Sequence, residues 1–347
     1  MRVRAAIEAA LEDDIRVFIQ LQDVRFWGEE MNTLGDFNAD NLDLHQGYVD
    51  IKRFNDSPFA ARVGRQEVNL GGQRLVGAVG WTQQGRSFDG VRARLNPSWG
   101  SLDLMGYQTL DLIGSNVDDN AAFLGAYTVI GTGPAGNLDL YVLHQASSVG
   151  DDTDTGQSSF GARFAGKTGG VSYRGEATVQ TGTRAGDDVS AYMLGGRLGF
   201  DVGDGGTVTL WYDLLSGDDD PADGETKVFD TMFATNHKFY GFADMFLNIP
   251  VHTGGQGLQD LAVKGSYQVN PEVFLGLDLH RFSLVEQRAL AATHLGNEID
   301  ATIRYRYTGN LTFQGGFSVV TRDTAWADIG RLTETLTWTY LMMNVAF

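Results

Sequence analysis

The sequence predicts an all-β fold, a transmembrane antiparallel β-barrel. Three observations carry that prediction: residues alternate in polarity, connections alternate in length, and the chain ends on an aromatic strand. In residues 15 to 22, Ile15, Val17, Ile19 and Leu21 share one face, and Arg16, Gln20 and Gln22 share the other with Phe18. Val273, Leu275, Leu277 and Leu279 stand likewise against Asp278 and His280, and Ile299, Ala301, Ile303, Tyr305 and Tyr307 against Asp300, Thr302, Arg304 and Arg306. A period of two is that of a strand, and one apolar and one polar face suit lipid outside and water inside.

The connections are the second observation. Short ones fall near residues 12–14, 55–57, 96–100, 131–137, 167–170, 201–206, 270–272 and 308–310. Between them lie longer polar ones near 25–42, 69–85, 110–120, 147–157, 181–189, 216–257, 284–297 and 323–334. Short turns on one rim and long loops on the other are the pattern of an outer-membrane barrel, with the short turns periplasmic. A soluble sandwich or propeller has no reason to sort its loops this way. At the C-terminus, Leu341, Met343, Val345 and Phe347 alternate along a strand that begins near Leu336. Such a strand is the expected handle for the barrel-insertion machinery.

Composition agrees. The 347 residues include 45 Gly, 6 Pro, 20 Phe, 12 Tyr and 6 Trp, which suits many strands joined by tight turns. There is no cysteine, so disulfides and thiolate metal sites are excluded. A net charge of −18 argues against nucleic acid as a partner. No apolar run approaches the roughly 18 residues of a membrane helix, so strands must do any crossing. Residues 1–15 carry Glu8, Glu12, Asp13 and Asp14 where an export signal needs an apolar core.

Counting from Arg2 gives about seventeen strands, the first and last both running toward the periplasm. Barrels of this kind normally have an even number, so an eighteenth strand is expected upstream of Arg2. Residues 1–347 are expected to form one barrel domain in the bacterial outer membrane, in contact with its lipid and lipopolysaccharide.

The segment from Ala61 to Leu95 resembles the alginate export porin family. The resemblance is carried by Gly64, Arg65, Gln66 and Glu67 at a strand end, Gly72 and Arg74 in the following loop, Trp81, and the run Arg86, Ser87, Phe88, Asp89, Gly90, Val91 and Arg92. Gln20 to Gly28 and Asn236 to Asp244 are similar too. The resemblance implies an eighteen-stranded barrel whose best-known members pass an anionic uronate polysaccharide through an arginine-lined pore.

Followed strand by strand, the alternation places Arg2, Arg4, Arg16, Lys52, Arg62, Arg92, Arg94, Arg174, Arg197, Lys264, Arg304 and Arg306 on the inward face. Fewer acids share it: Glu8, Asp50, Asp103, Asp139, Glu176, Asp213, Asp278 and Asp300. A cationic lumen under anionic rims is expected, because guanidinium groups stay charged and pair well with carboxylates. The same side chains can instead pair across strands as a solvated network, and both readings stand for each residue. Arg62, Arg92 and Arg94 are the first choice for a solute path. Arg65 and Glu67 sit out of phase with Arg62 and are expected to anchor the loop after them.

The acidic loops Asp151–Gly156 and Gly217–Glu225 invite a calcium reading, but the first lacks the bidentate acid of an EF-hand, and a solvated acidic loop is the favoured reading. No nucleophile elbow, HExxH pair or P-loop occurs, and the six histidines are scattered, with His45, His144 and His280 as lumen candidates. Neither enzymatic activity nor a cofactor is expected. The expected function is selective passive passage of an anionic or polar solute, such as an acidic oligo- or polysaccharide like alginate. The alternative is a structural or partner-binding barrel whose lumen is blocked.

The block would come from residues 216–257, an expected extracellular loop whose Phe229, Phe233, Phe239, Tyr240, Phe242 and Phe246 a fully solvated segment has little reason to carry. A short helix is expected within 227–246. Deleting 216–257 should raise single-channel conductance, and unchanged conductance would place the segment outside the pore.

Overall fold

The computed structural model describes residues 1–25, 40–54, 57–111, 120–148, 155–331 and 333–347. The strands are β1 (Arg2–Ala10), β2 (Ile15–Val24), β3 (Asp40–Ile51), β4 (Phe59–Gln66), β5 (Phe88–Leu95), β6 (Gly100–Asp111), β7 (Asn120–Gly131), β8 (Asn137–Ser148) and β9 (Thr155–Thr168). They continue as β10 (Val171–Arg184), β11 (Asp187–Val202), β12 (Gly206–Leu215), β13 (Glu225–Thr226), β14 (Leu258–Gln268), β15 (Val273–Ser283), β16 (His294–Arg306), β17 (Leu311–Arg322) and β18 (Leu336–Val345). All but β13 form one antiparallel meander, each strand paired with the next and β12 passing directly to β14. The two-residue β13 lies in the long loop and pairs parallel with β11. The seventeen long strands are those the alternation predicts. Among the described residues no ladder joins β1 to β18.

The meander is polar inside and apolar outside, because lipid solvates the outer face and only hydrogen-bonded strands satisfy the backbone there. Leu124, Val142, Phe160, Val179, Leu194, Leu210, Leu261, Leu277, Ile299 and Phe317 are exposed outward, whereas Asp103, Asp139, Glu176, Asp213, Asp260 and Asp300 are buried on the other face. The inward face also changes with height. Toward the long-loop ends it is apolar, with Phe88, Phe123, Met193, Leu215, Phe282 and Leu295 in one buried cluster. Toward the short turns it becomes charged.

Two loops that enter the barrel explain the apolar upper half. Residues 67–87 and 216–257 contribute Val68, Leu75, Val76, Phe229, Phe239, Tyr240, Phe246 and Ile249 to that cluster. They are zipped together by main-chain bonds: Phe233 N donates to Leu75 O at 2.8 Å, Gly77 N to Phe233 O at 2.9 Å and Thr235 N to Gln73 O at 3.0 Å. This pairing corrects the expected helix in 227–246, because an extended segment at Phe233 leaves room only for the 3-10 turn Asn236–Lys238. The one α-turn of the loop, Ile249–His252, lies beyond it.

A second correction concerns 181–189. Instead of a long loop, β10 and β11 run on to a two-residue turn at Ala185 and Gly186, whose positive φ angles of 52° and 92° are those of a tight hairpin. The middles of the connections near 25–42, 110–120 and 147–157 fall outside the described residues.

One ion pair ties both loops to the wall. The Arg74 guanidinium donates to both carboxylate oxygens of Asp213 on β12 at 2.7 Å, lies 3.4 Å from Glu176 on β10, and packs over Phe239 at 4.4 Å. Gly195 makes the space, since a Cβ there would meet the guanidinium carbon at 3.1 Å. Burial alone would lower the Arg74 pKa, but Asp213, Tyr240 and Glu176 raise it above the ordinary arginine value. Arg74→Ala should therefore cost about 3–5 kcal/mol by leaving Asp213 buried and unpaired. Limited chymotrypsin digestion should then cut at Phe239 and Tyr240, sites the parent protein protects; protection unchanged by the substitution would show that the pair does not hold the loops.

Candidate functional site: a cationic cavity in the barrel

Below the zipped loops, a cavity of about 340 Å³ opens between the wall and the loop segments that carry Gly71, Gly72 and Lys238. Adjacent strands build it. Arg174 on β10 is the direct cross-strand neighbour of Arg197 on β11, and Arg197 is that of Trp211 on β12. Arg163 on β9 and Lys264 on β14 complete the ring of cations.

These cations differ in how they are balanced. Arg163 donates to Asp139 at 2.7 Å and Lys264 to Asp278 at 2.9 Å. Arg174, Arg197 and Lys238 have no carboxylate within ion-pair distance among the described residues. Arg174 is buried, and its Nε and Nη2 have no hydrogen-bond partner. Unpaired polar groups of this kind are costly unless solvent or a ligand meets them. Lys238 sits on the exposed side of its turn while its neighbours His237 and Phe239 are buried. Partial burial, with Arg174, Arg197 and Arg163 nearby, lowers its pKa from the ordinary lysine value.

The other arginines singled out from the sequence are placed as follows. Arg16 and Arg62 share Asp50, with Arg62 at 2.6 Å and stacked over Tyr48 at 3.9 Å. Arg92 and Arg94 share Asp103 through pairs of hydrogen bonds at 2.7–2.8 Å. Asp103 thus balances only one of its two guanidiniums, whereas Arg16 has Glu8 at 3.1 Å as a second carboxylate, and Arg62, Arg92 and Arg94 line a cavity of about 280 Å³. Its residues lie near the short-turn ends of β2 to β6, about eight strands from the first cavity and so across the barrel from it.

Arg2 and Arg4 serve the loop instead. Arg2 donates to the carbonyls of Gly80 and Thr82 at 3.3 and 2.9 Å, and Arg4 to Gln22 and Glu67 at 2.7 and 3.0 Å. Arg304 stacks over Phe274 at 4.6 Å, and Arg306 is exposed beside the turn at 307–310.

The motif residues hold the loop 67–87 in place. Gly64 has φ +124°, and a Cβ there would strike Gly47 O at 2.3 Å. Arg65 meets Asp89 at 2.6 Å, and Glu67 accepts from Arg4 and contacts His45 Nε2 at 2.7 Å. Arg86 donates to the Phe233 carbonyl, Phe88 is buried in the apolar cluster, and Trp81 stacks on His237 at 4.0 Å. Trp81 also meets Tyr340 of β18 edge-on at 4.9 Å. With Arg2 on β1 gripping the flanking carbonyls, the tip of this loop spans from the first strand to the last.

Alternation carries a signal for Arg163, which is in phase with Gln157, Ser159 and Gly161 on β9, although Arg163 is not in the inward set drawn from the sequence. Lys238 and Arg74 lie in loops, where periodicity says nothing about direction. A further concavity, about 910 Å³, lies on the outer face among Val208, Gly265, Leu277 and Ile303 and meets lipid, not the solute path.

An apolar belt, a polar lumen and short turns on one rim define an outer-membrane, porin-like barrel. Residues 1–336 match the family model described as alginate export, and the chain belongs to that family. Its barrels are typically non-enzymatic. Among solved structures, the chain is similar to Pseudomonas aeruginosa OccK10 (OpdN), with a TM-score of 0.64, 10% identity, and coverage of 100% of this chain and 96% of that one. It is also similar to OccK1 (OpdK) of the same organism, with a TM-score of 0.63, 14% identity, and coverage of 99% and 92%. A structure of OpdK with vanillate matches with a TM-score of 0.62, 14% identity and the same coverage. No curated protein matches the chain.

The lowered Lys238 pKa is directly testable. In pH-resolved amine acylation read by mass spectrometry, Lys238 should reach half-reactivity below the roughly 10.4 of an ordinary lysine. Arg174→Gln should move that midpoint upward, and a midpoint at the ordinary value in the parent protein would contradict the placement of Lys238 among the arginines.

Proposed function

We propose that this barrel is an anion-preferring channel of the outer membrane, through which a small anionic or polar solute passes by way of Arg174, Arg197 and Lys238. One observation carries the reading: three cations without carboxylate partners converge on one cavity, in a protein whose net charge is −18. Such groups lower the barrier to an anion, and several weak sites release it again. The paired arginines Arg16, Arg62, Arg92 and Arg94 form the opposite wall, where Asp103 leaves one positive charge over and Asp50 with Glu8 balances Arg16 and Arg62. Arg163 and Lys264 extend the basic surface around Arg174 and Arg197.

A cavity of about 340 Å³ beneath two inserted loops suits an acid of one or two rings better than a thick polymer. The fold likeness to OpdK, seen with vanillate, supports a small organic acid. Family membership supports an acidic sugar such as a short alginate oligomer. A second reading, a barrel with a blocked lumen, draws on the buried Arg74–Asp213 pair, which fixes both loops across the upper half.

In planar bilayers under a potassium chloride gradient, the reversal potential should report anion preference. Arg174→Glu together with Arg197→Glu should reduce or invert it, and Arg92→Glu with Arg94→Glu should have a smaller effect. Cation preference in the parent protein would refute the proposal, and absence of conductance would favour the blocked barrel.

A further inference from the structure

Arg174 and Arg197 are direct cross-strand neighbours, and like charges so placed repel. Neither has a carboxylate within ion-pair distance among the described residues, so something else must offset the repulsion. The next residue in the same row is Trp211. Its ring centre lies 4.7 Å from the Arg174 guanidinium carbon, 5.6 Å from that of Arg197 and 5.1 Å from the Lys264 ammonium. Arg74 also approaches within 5.6 Å. The orientation of the ring is fixed, because its N–H donates to Asp213 at 2.8 Å, and that same carboxylate is already bound to Arg74.

We infer that Trp211 is a positioning residue for the cationic cavity, with the negative face of its indole standing in for a carboxylate. A carboxylate in its place would neutralise the arginines and compete with an anionic solute. An aromatic face attracts cations through its quadrupole but carries no net charge. It therefore holds Arg174 and Arg197 side by side and leaves their charge for the solute. The opposite wall shows the other solution, in which Asp50 and Asp103 each bridge two arginines. On this account the Trp211 wall binds the solute and the carboxylate wall mainly shapes the field. Trp211 itself is buried and lines the cavity, so its contribution acts through the arginines.

The inference rests on the anion-path reading, and the test separates the two. Citrate, a multivalent anion, is added as a blocker of single channels in planar bilayers. The parent protein should show anion preference and concentration-dependent block. If it shows neither, the anion path fails and this inference falls with it. Trp211→Met leaves a smaller apolar side chain without a quadrupole and should weaken citrate block about tenfold, whereas Trp211→Phe should retain most of it.

Site-specific fluorinated tryptophans at position 211 keep shape and N–H while draining the ring face, so block should weaken stepwise with fluorine number. These variants also serve if the methionine variant fails to insert. Block that is indifferent to both fluorination and Trp211→Met, in a protein that remains anion-preferring, would overturn the role of Trp211 alone. Equal loss in Trp211→Phe and Trp211→Met would assign the effect to the N–H bond with Asp213 and likewise refute the π role.

Discussion

The buried pair between Arg74 and Asp213 is the interaction on which the interior depends. It joins a loop residue from the segment after β4 to the wall at β12, and Tyr240 and Phe239 of the second long loop close around it. A lone arginine in such a place would be too costly to bury, and a lone aspartate equally so. Together, with Gly195 leaving space on the wall, they fix where both loops enter the barrel. Everything beneath them then follows: the ceiling of the cationic cavity, the position of Lys238, and the orientation of Trp211 through its bond to the same carboxylate.

Height in the barrel divides its labour. Near the long loops the inward residues are apolar and pack against Phe229, Phe246 and Ile249, as in a soluble core. Further down, carboxylates of the wall hold the loop by its main chain, with Ala243 N donating to Glu298 at 2.7 Å and Phe242 N to Asp300 at 3.3 Å. Gly241, at φ +82°, permits that approach, because a Cβ would collide with the Glu298 carboxylate at 2.4 Å. Below this level the charge balance turns positive. A net acidic chain thus keeps a basic interior, because its acids are concentrated elsewhere or bound to arginines and loop amides.

The strands were legible because lipid enforces alternation: Ile15 to Leu21 and Val273 to Leu279 read correctly from period two alone. Legibility failed where lipid ends. At 181–189 most residues of the hairpin are polar and exposed, with only Val189 buried, so they imitate a loop, although Ala185 and Gly186 alone make the turn. In the cavity, phase identified Arg174, Arg197 and Lys264 but not their balance. Arg92 and Arg94 are the first choice from the sequence, yet both reach Asp103, a fact of register and side-chain reach that composition does not contain. Lys238 and Arg74 are set by the fold of loops, where contacts distant in sequence decide direction.

Anions are expected to reside at Arg174, Arg197 and Lys238. Anomalous diffraction from crystals soaked in bromide tests it most directly. Bromide peaks in contact with these three side chains, stronger than any at Arg92 and Arg94, are the predicted result. A lumen with no bromide at the three unpaired cations, or with bromide only where arginines already share a carboxylate, would contradict it.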